Sequence, residues 1–168
     1  MTQADRPGLA DFMANHWGTT QMAAHGQLVA VPDLPGFVAE RDAEWLGHVA
    51  YMVEGPMLEI VWVGTAAERE GTGSALIAEC VNVARERNLT RVWLVTTNDN
   101  LDALRFYQRR GFNRVALHRA AVNEARRGLK PEIPLTGSFG IPMRDELQLE
   151  LPSAEWDDII SNYRWPPA

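Results

Sequence analysis

Apolar positions along this chain change period several times, and each change marks an element. Leu9, Phe12, Met13, His16 and Trp17 recur at intervals of three and four, which predicts a helix that Gly18-Thr19-Thr20 breaks. Residues 28–31 predict a short strand, stopped by Pro32 and Pro35. Residues 36–41 and 45–54 predict two strands joined at Asp42-Ala43-Glu44, and Gly55-Pro56 turns the chain into a third at 57–63. Leu76, Cys80 and Val83, with Ile77, Val81 and Ala84, give a helix over 74–87. The apolar run at 91–96 predicts a strand buried on both faces. A helix over 100–110 ends at Gly111, and a short strand at 115–117 follows. Residues 120–129 suit a helix, and Leu147, Leu149 and Leu151 alternate with polar residues as in an antiparallel edge strand over 144–151. One short helix is expected within 153–162. The order implies an α/β fold, with a mixed sheet that is parallel around the helix crossover. There is no internal repeat and no linker, so residues 1–168 read as one domain.

Chemistry enters at Arg69-Glu70-Gly71-Thr72-Gly73, between the strand at 57–63 and the helix at 74–87. Glycine lets backbone approach a ligand, and the first N–H groups of a helix favour an anion. This points to a phosphate. A nucleotide P-loop needs Gly-Lys-Ser/Thr, and no lysine follows Gly73. A dinucleotide fingerprint needs a third glycine where Leu76 stands, with the turn directly after the strand. A third ligand class is the pyrophosphate of coenzyme A, and the segment from Asn100 to Phe112 decides between them.

Composition narrows the picture. Hydrophobic residues make up 46% and charged residues 23% of the chain, which suits a folded domain with its own core. No apolar run reaches the length of a membrane span, and the first residues lack a signal-peptide layout. The single Cys80 forms no internal disulfide, which fits a cytoplasmic location. A net charge of −6 argues against nucleic acid as the partner and suits a cationic amine. The four histidines have no metal-ligand spacing, so no metal is expected.

Asn100, Ala103 and Tyr107 fall on one face of the second helix, and Gln108-Arg109-Arg110-Gly111-Phe112 follows. With Glu68 to Gly73 these residues resemble the GNAT family of acyl-CoA N-acyltransferases. That family's phosphate turn reads Q/R-x-x-G-x-G/A, and its later segment reads N-x-x-A-x-x-x-Y-x-x-x-G-F. The turn departs from the family at Glu68, with Arg69 beside it. The resemblance covers residues 57–117 and implies a central mixed, mostly antiparallel β-sheet flanked by α-helices. It implies acetyl-CoA as cofactor, with its pantetheine arm along Val61, Trp62 and Val63. It implies pyrophosphate held by N–H groups from Arg69, Glu70, Gly71, Thr72, Gly73 and Ser74, and a cofactor contact at Asn100. Tyr107 would protonate the departing thiolate, and the sheet would splay near Val63. The activity implied is acetyl transfer to a primary amine of a small molecule or peptide in a ternary complex. A CoA-binding sensor or scaffold without catalysis is the alternative.

An ammonium acceptor must lose a proton before it attacks. Glu59 shares strand parity with Val61 and Val63 and is the first candidate base. His118 is the second, and Glu54 and Asp99 come behind. Arg105, Arg109 and Arg110 read as a solvated face, and Cys80 as core. Residues 119–143 make a long insertion between the last two strands, expected to cover the acceptor site together with His16-Trp17-Gly18. Trp156 and Trp165 suggest a homodimer through the C-terminal tail.

Overall fold

The computed structural model describes residues 5–24, 26–66 and 71–163. Helix α1 (Arg6–Trp17) leads into a two-stranded hairpin, β1 (Gln21–Ala24) and β2 (Gln27–Ala30). The other elements are β3 (Gly36–Arg41), β4 (Glu44–Glu54), β5 (Met57–Thr65), α2 (Thr72–Glu86), β6 (Arg91–Thr97), α3 (Leu101–Gln108), β7 (Asn113–His118), α4 (Ala121–Gly128), β8 (Glu146–Pro152) and α5 (Trp156–Asn162). Strands β3 to β8 form one six-stranded sheet in the order β3-β4-β5-β6-β8-β7. Among the paired strands of the described residues only β5 and β6 are parallel neighbours, joined through α2; β6 and β7, joined through α3, run the same way with β8 antiparallel between them.

Two apolar clusters hold the layers. On one face, Leu58 and Ile60 of β5 and Val92 and Leu94 of β6 pack against Ile77, Cys80, Val81 and Ala84 of α2, with Ile159 of α5. On the other, Leu9 and Met13 of α1 cover Ala50, with Trp45 and Trp62 at the border. Strand β4 lies between both layers, which is why Gly47 through Tyr51 are buried without a break.

Two expectations change. Strand β8 is not an edge: it lies between β6 and β7, and β7 is the outer strand. Its Leu149 and Leu151 face the core, whereas Glu146 and Gln148 line a cavity open to solvent. Polar residues beside a cavity alternate with apolar ones as they would beside solvent. Strand β6 departs in the converse way. Only Val92 and Leu94 are fully buried, and Trp93 and Val95 face that same cavity. The β1 strand was not expected, for Gln21–Ala24 is short and without an apolar pattern.

Candidate active site

The site begins where the sheet divides. The parallel ladder between β5 and β6 pairs Met57 with Arg91, Leu58 with Val92 and Glu59 with Trp93. It stops there, although β5 continues to Thr65 in register with β4. From Ile60 onward β5 therefore has a backbone edge turned away from any β6 ladder. The divergence starts at Glu59, earlier than the Val63 expected from sequence.

A β-bulge lies at the same point. Tyr51 pairs with Ile60 and Ala50 with Trp62, so Val61 is the extra residue. An extra residue reverses side-chain parity. Leu58, Ile60 and Val63 accordingly face the α2 layer, whereas Trp62 faces the α1 layer. Glu59 thus does not share a face with Val63, and the parity argument that first selected it fails. Its neighbours instead place Glu59 on the cavity side, where it is 6% exposed.

Across the α2 layer lies the phosphate-type turn. Arg69 and Glu70 fall outside the described residues. Gly71 is the N-cap of α2 with φ of 84°, a left-handed value that costs a residue with a Cβ about 1–2 kcal/mol. Its carbonyl accepts the Ala75 N–H at 3.0 Å, which leaves the N–H groups of the first turn directed out of the helix end. Gly73 is small for a different reason. A Cβ there would come within 3.2 Å of the Phe106 ring, so Gly73 lets α2 and α3 approach.

Thr72 and Ser74 are buried. The Ser74 hydroxyl accepts from both Nε (3.0 Å) and Nη2 of Arg110. The same guanidinium donates to the Phe106 carbonyl at 2.7 Å and lies 3.6 Å over the Phe106 ring. Tyr163 stands on its other side, 5.0 Å away. Arg110 is therefore a rivet between α2, α3 and the end of α5, not part of a solvated face.

Asn100 caps α3, its Oδ1 accepting the Ala103 N–H at 3.2 Å. Tyr107 is buried between Phe106 and Phe112, with ring centroids at 5.1 and 5.4 Å. Desolvation raises its phenol above the ordinary range, with the nearby Cys80 adding to the effect and Arg110 opposing it. A raised phenol stays protonated at neutral pH, as a proton donor must.

The opposite sheet face carries a cavity of about 750 Å³, a volume suited to a small organic ligand. Its floor is Glu59 of β5, Trp93 and Val95 of β6, Gln148 and Glu146 of β8, and His118 at the end of β7. One wall is the β1–β2 turn, and the other is α4 with Glu124, Ala125 and Leu129. His118 reaches the site and pairs through Nε2 with Gln148 Oε1 at 3.0 Å. Glu54 is exposed at the end of β4 and does not line the cavity. Asp99 is buried, and its Oδ2 accepts the Ser138 N–H at 2.8 Å, so it fastens the insertion.

Side chains fix the walls. Lys130 donates to Thr19 Oγ1 (3.1 Å) and to the Gln21 carbonyl (2.7 Å), joining the insertion to the N-terminal segment. Arg126 donates to the carbonyls of Ile133, Pro134 and Met143 and to Asn123 Oδ1, all within 2.8 Å. Asn98 Oδ1 accepts the N–H groups of Arg144 and Asp145 at 3.0 Å each. Sequence reading singled out none of these three, since single polar side chains bonded to loop backbone carry no periodicity. Proximity of Arg126 to its proline-rich loop was the one available hint.

The His16 ring lies tilted against Phe12, with centroids at 4.4 Å, outside the cavity lining. The side chain of Trp17 lies outside the described residues. Trp156 is buried against the α2 layer and gives no exposed surface to a second copy, and Trp165 is likewise outside the described residues. No helix among the described residues is long and apolar enough to cross a membrane, and they hold no group of three or more potential metal ligands.

Known proteins resemble this arrangement. The family model for the acetyltransferase (GNAT) family matches residues 6–112. The Bacillus subtilis (strain 168) protein YdhI is 40% identical over 140 residues, covering 83% of this chain and 87% of its own. A GNAT family acetyltransferase from Elizabethkingia anophelis, solved with acetyl-CoA bound, has a TM-score of 0.61 at 18% identity, covering 68% of this chain and 73% of that one. A Bacillus subtilis acetyltransferase solved with CoA has a TM-score of 0.60 at 18% identity, covering 84% of this chain and 82% of that one.

Proposed function

From the premise that this chain belongs to the acetyltransferase (GNAT) family, we propose that it transfers an acetyl group from acetyl-CoA to an amine by direct attack. The observation that carries this reading is the ladder between β5 and β6 ending at Glu59, with the α2 N-terminus and Tyr107 on one side and the cavity on the other. An extended thioester arm can add along the free edge of β5 at Val61, Trp62 and Val63, as a strand adds to a sheet. The pyrophosphate then lies at the turn from Arg69 through Ser74, where helix N–H groups favour anions. Asn100 serves the cofactor side indirectly, by fixing the start of α3.

The chemistry needs four parts. The amine nitrogen forms a bond to the thioester carbonyl carbon, and the carbonyl oxygen takes negative charge. A backbone N–H on the free β5 edge stabilises that oxygen. The carbon–sulfur bond then breaks, and Tyr107 supplies the proton that the thiolate receives. The proton lost by the amine goes to Glu59 at the cavity floor, directly or through water, with His118 as the second acceptor.

The test is release of CoA thiol by the full chain with acetyl-CoA and a mixed amine library, alongside thermal shift with acetyl-CoA, ATP and NADH. Stabilisation by acetyl-CoA and amine-dependent thiol release are expected. Stabilisation by ATP or NADH alone would sink the proposal. Burial of Tyr107 favours a second reading, a CoA-binding module in which that residue only packs. Acetyl-CoA binding without transfer to any amine would select it.

A further inference from the structure

Arg110 closes α3 onto the start of α2, and every partner it bonds there is neutral. Nε and Nη2 both donate to the Ser74 hydroxyl, and Nη1 donates to the Phe106 carbonyl at 2.7 Å. The guanidinium lies 3.6 Å over the Phe106 ring, the same ring that Gly73 admits. Among the described residues no carboxylate pairs with it, although Glu155 and Asp158 line the groove beside it. Burial pulls the guanidinium below its ordinary range, with Tyr163 opposing and Arg109 adding. A rivet that served packing alone would need no charge, since a half-buried cation loses hydration.

The charge acts on Ser74. A hydroxyl accepts two hydrogen bonds and donates one. Arg110 supplies two donors to that oxygen, so the Ser74 proton is turned away from the guanidinium and can only be given. Ser74 is 4% exposed, so water competes little for it. The residue is the third of α2, in the turn whose N–H groups leave the helix end.

We propose that Arg110 is a positioning residue for the cofactor: it presets the Ser74 hydroxyl as a donor toward the diphosphate and fixes the start of α2 against α3, the helix that carries Tyr107. This rests on the acetyl-CoA reading above. Two donors converge on one oxygen of α2, and a third ties the same plane to the last turn of α3. The helices cannot slide past each other without breaking a bond. Donation from a cation also polarises the hydroxyl and strengthens the bond it gives. A lysine carries the same charge but makes no such fork.

The experiment measures Kd for CoA and for dephospho-CoA, which keeps the diphosphate and lacks the 3′-phosphate, by calorimetric titration of the full chain. The variants are Ser74→Ala, Arg110→Met, Arg110→Lys and the double variant Ser74→Ala/Arg110→Met. Each single variant is expected to weaken both ligands about tenfold, the scale of one charge-assisted contact. The double variant is expected to bind no worse than the weaker single one, because a linked contact is lost only once. Phosphorus NMR of bound CoA should show the diphosphate resonances moved in every variant and the 3′-phosphate resonance in place. An unchanged Kd in Ser74→Ala would overturn the proposal, and that variant leaves Arg110 intact. Additive losses would overturn it too. Recovery in Arg110→Lys would reduce Arg110 to a charge, and a loss for CoA but not for dephospho-CoA would make it a direct contact of the 3′-phosphate; either removes the positioning role. So would a lower Tm in Arg110→Met with Kd unaltered, which marks packing alone. The unsubstituted chain separates the two levels of failure. If it binds CoA and the variants bind equally well, only this assignment falls. If it does not bind CoA, the acetyl-CoA reading falls as well.

Discussion

The two faces of the divided sheet are built in different ways. The cofactor side, from β5 through α3, is assembled from near neighbours in sequence: a strand, a glycine turn, a helix, a parallel strand and a capped helix. The cavity side, proposed above to take the acceptor, joins residues far apart, and Lys130 meets Thr19 across 111 positions. The first depends on backbone conformation and helix ends. The second depends on single side chains that replace missing secondary structure, Arg126 above all. Local construction leaves a motif that can be recognised, whereas long-range construction leaves none.

The contrast can be broken most sharply at Tyr107. Tyr107→Phe removes only the hydroxyl, and loss of a general acid costs about 10²–10⁴-fold in rate. A kcat fall of that size with acetyl-CoA affinity retained is expected from steady-state kinetics and direct titration. An unchanged kcat across the pH range would remove Tyr107 as the acid.

The α1 layer has its own sensitivity to acid. His48, wholly buried beside Trp62 and Phe12, has its imidazole pushed down to about 4 by burial. The unfolded chain takes up that proton below about pH 6.5, whereas the folded chain takes it up only near pH 4. The unfolded state binds more protons in that window, so stability is full above pH 6.5 and falls as pH drops toward 4, by about 3 kcal/mol in all. Urea unfolding at stepped pH would measure it, and His48→Leu should flatten that part of the profile.

Arg126→Met tests whether the insertion depends on one guanidinium. Removing donors to four acceptors, three part-buried and the one at Pro134 exposed, should cost about 1.5–3 kcal/mol, the scale of hydrogen bonds to a charged group. Hydrogen exchange should rise over residues 129–143 and stay low in α2 and β6, and acetyl-CoA binding should persist. A uniform rise throughout the chain would show that the two sides are one cooperative unit. Lys130→Met is the mildest change, with an expected cost of about 1 kcal/mol. It should raise KM for the acceptor a few-fold and leave that for acetyl-CoA unaltered. Equal changes in both constants would erase the distinction between the sides.

Much of the cofactor side was legible. The strand, the helix and the stop at Gly111 followed from periodicity and end signals, and Asn100 to Phe112 carried the resemblance. Gly71 is explained by its left-handed φ, as a turn glycine should be, but Gly73 is small to admit Phe106. The acceptor side was read in outline only. The long connection between the last strands was visible, but not that β8 enters the sheet between β6 and β7.

Sequence by itself determined the element order apart from β1, the parallel crossover and the turn between β5 and α2, because these depend on local periodicity, glycine and helix-end chemistry. It also narrowed the ligand class, through residues spaced on one helix face. Only the tertiary structure decided which face Glu59 occupies, since one extra residue at Val61 reverses the parity of every side chain beyond it. It alone assembled the cavity, whose floor comes from four strands and whose walls are held by Lys130 and Arg126. Contacts between distant positions leave no period in the chain that makes them.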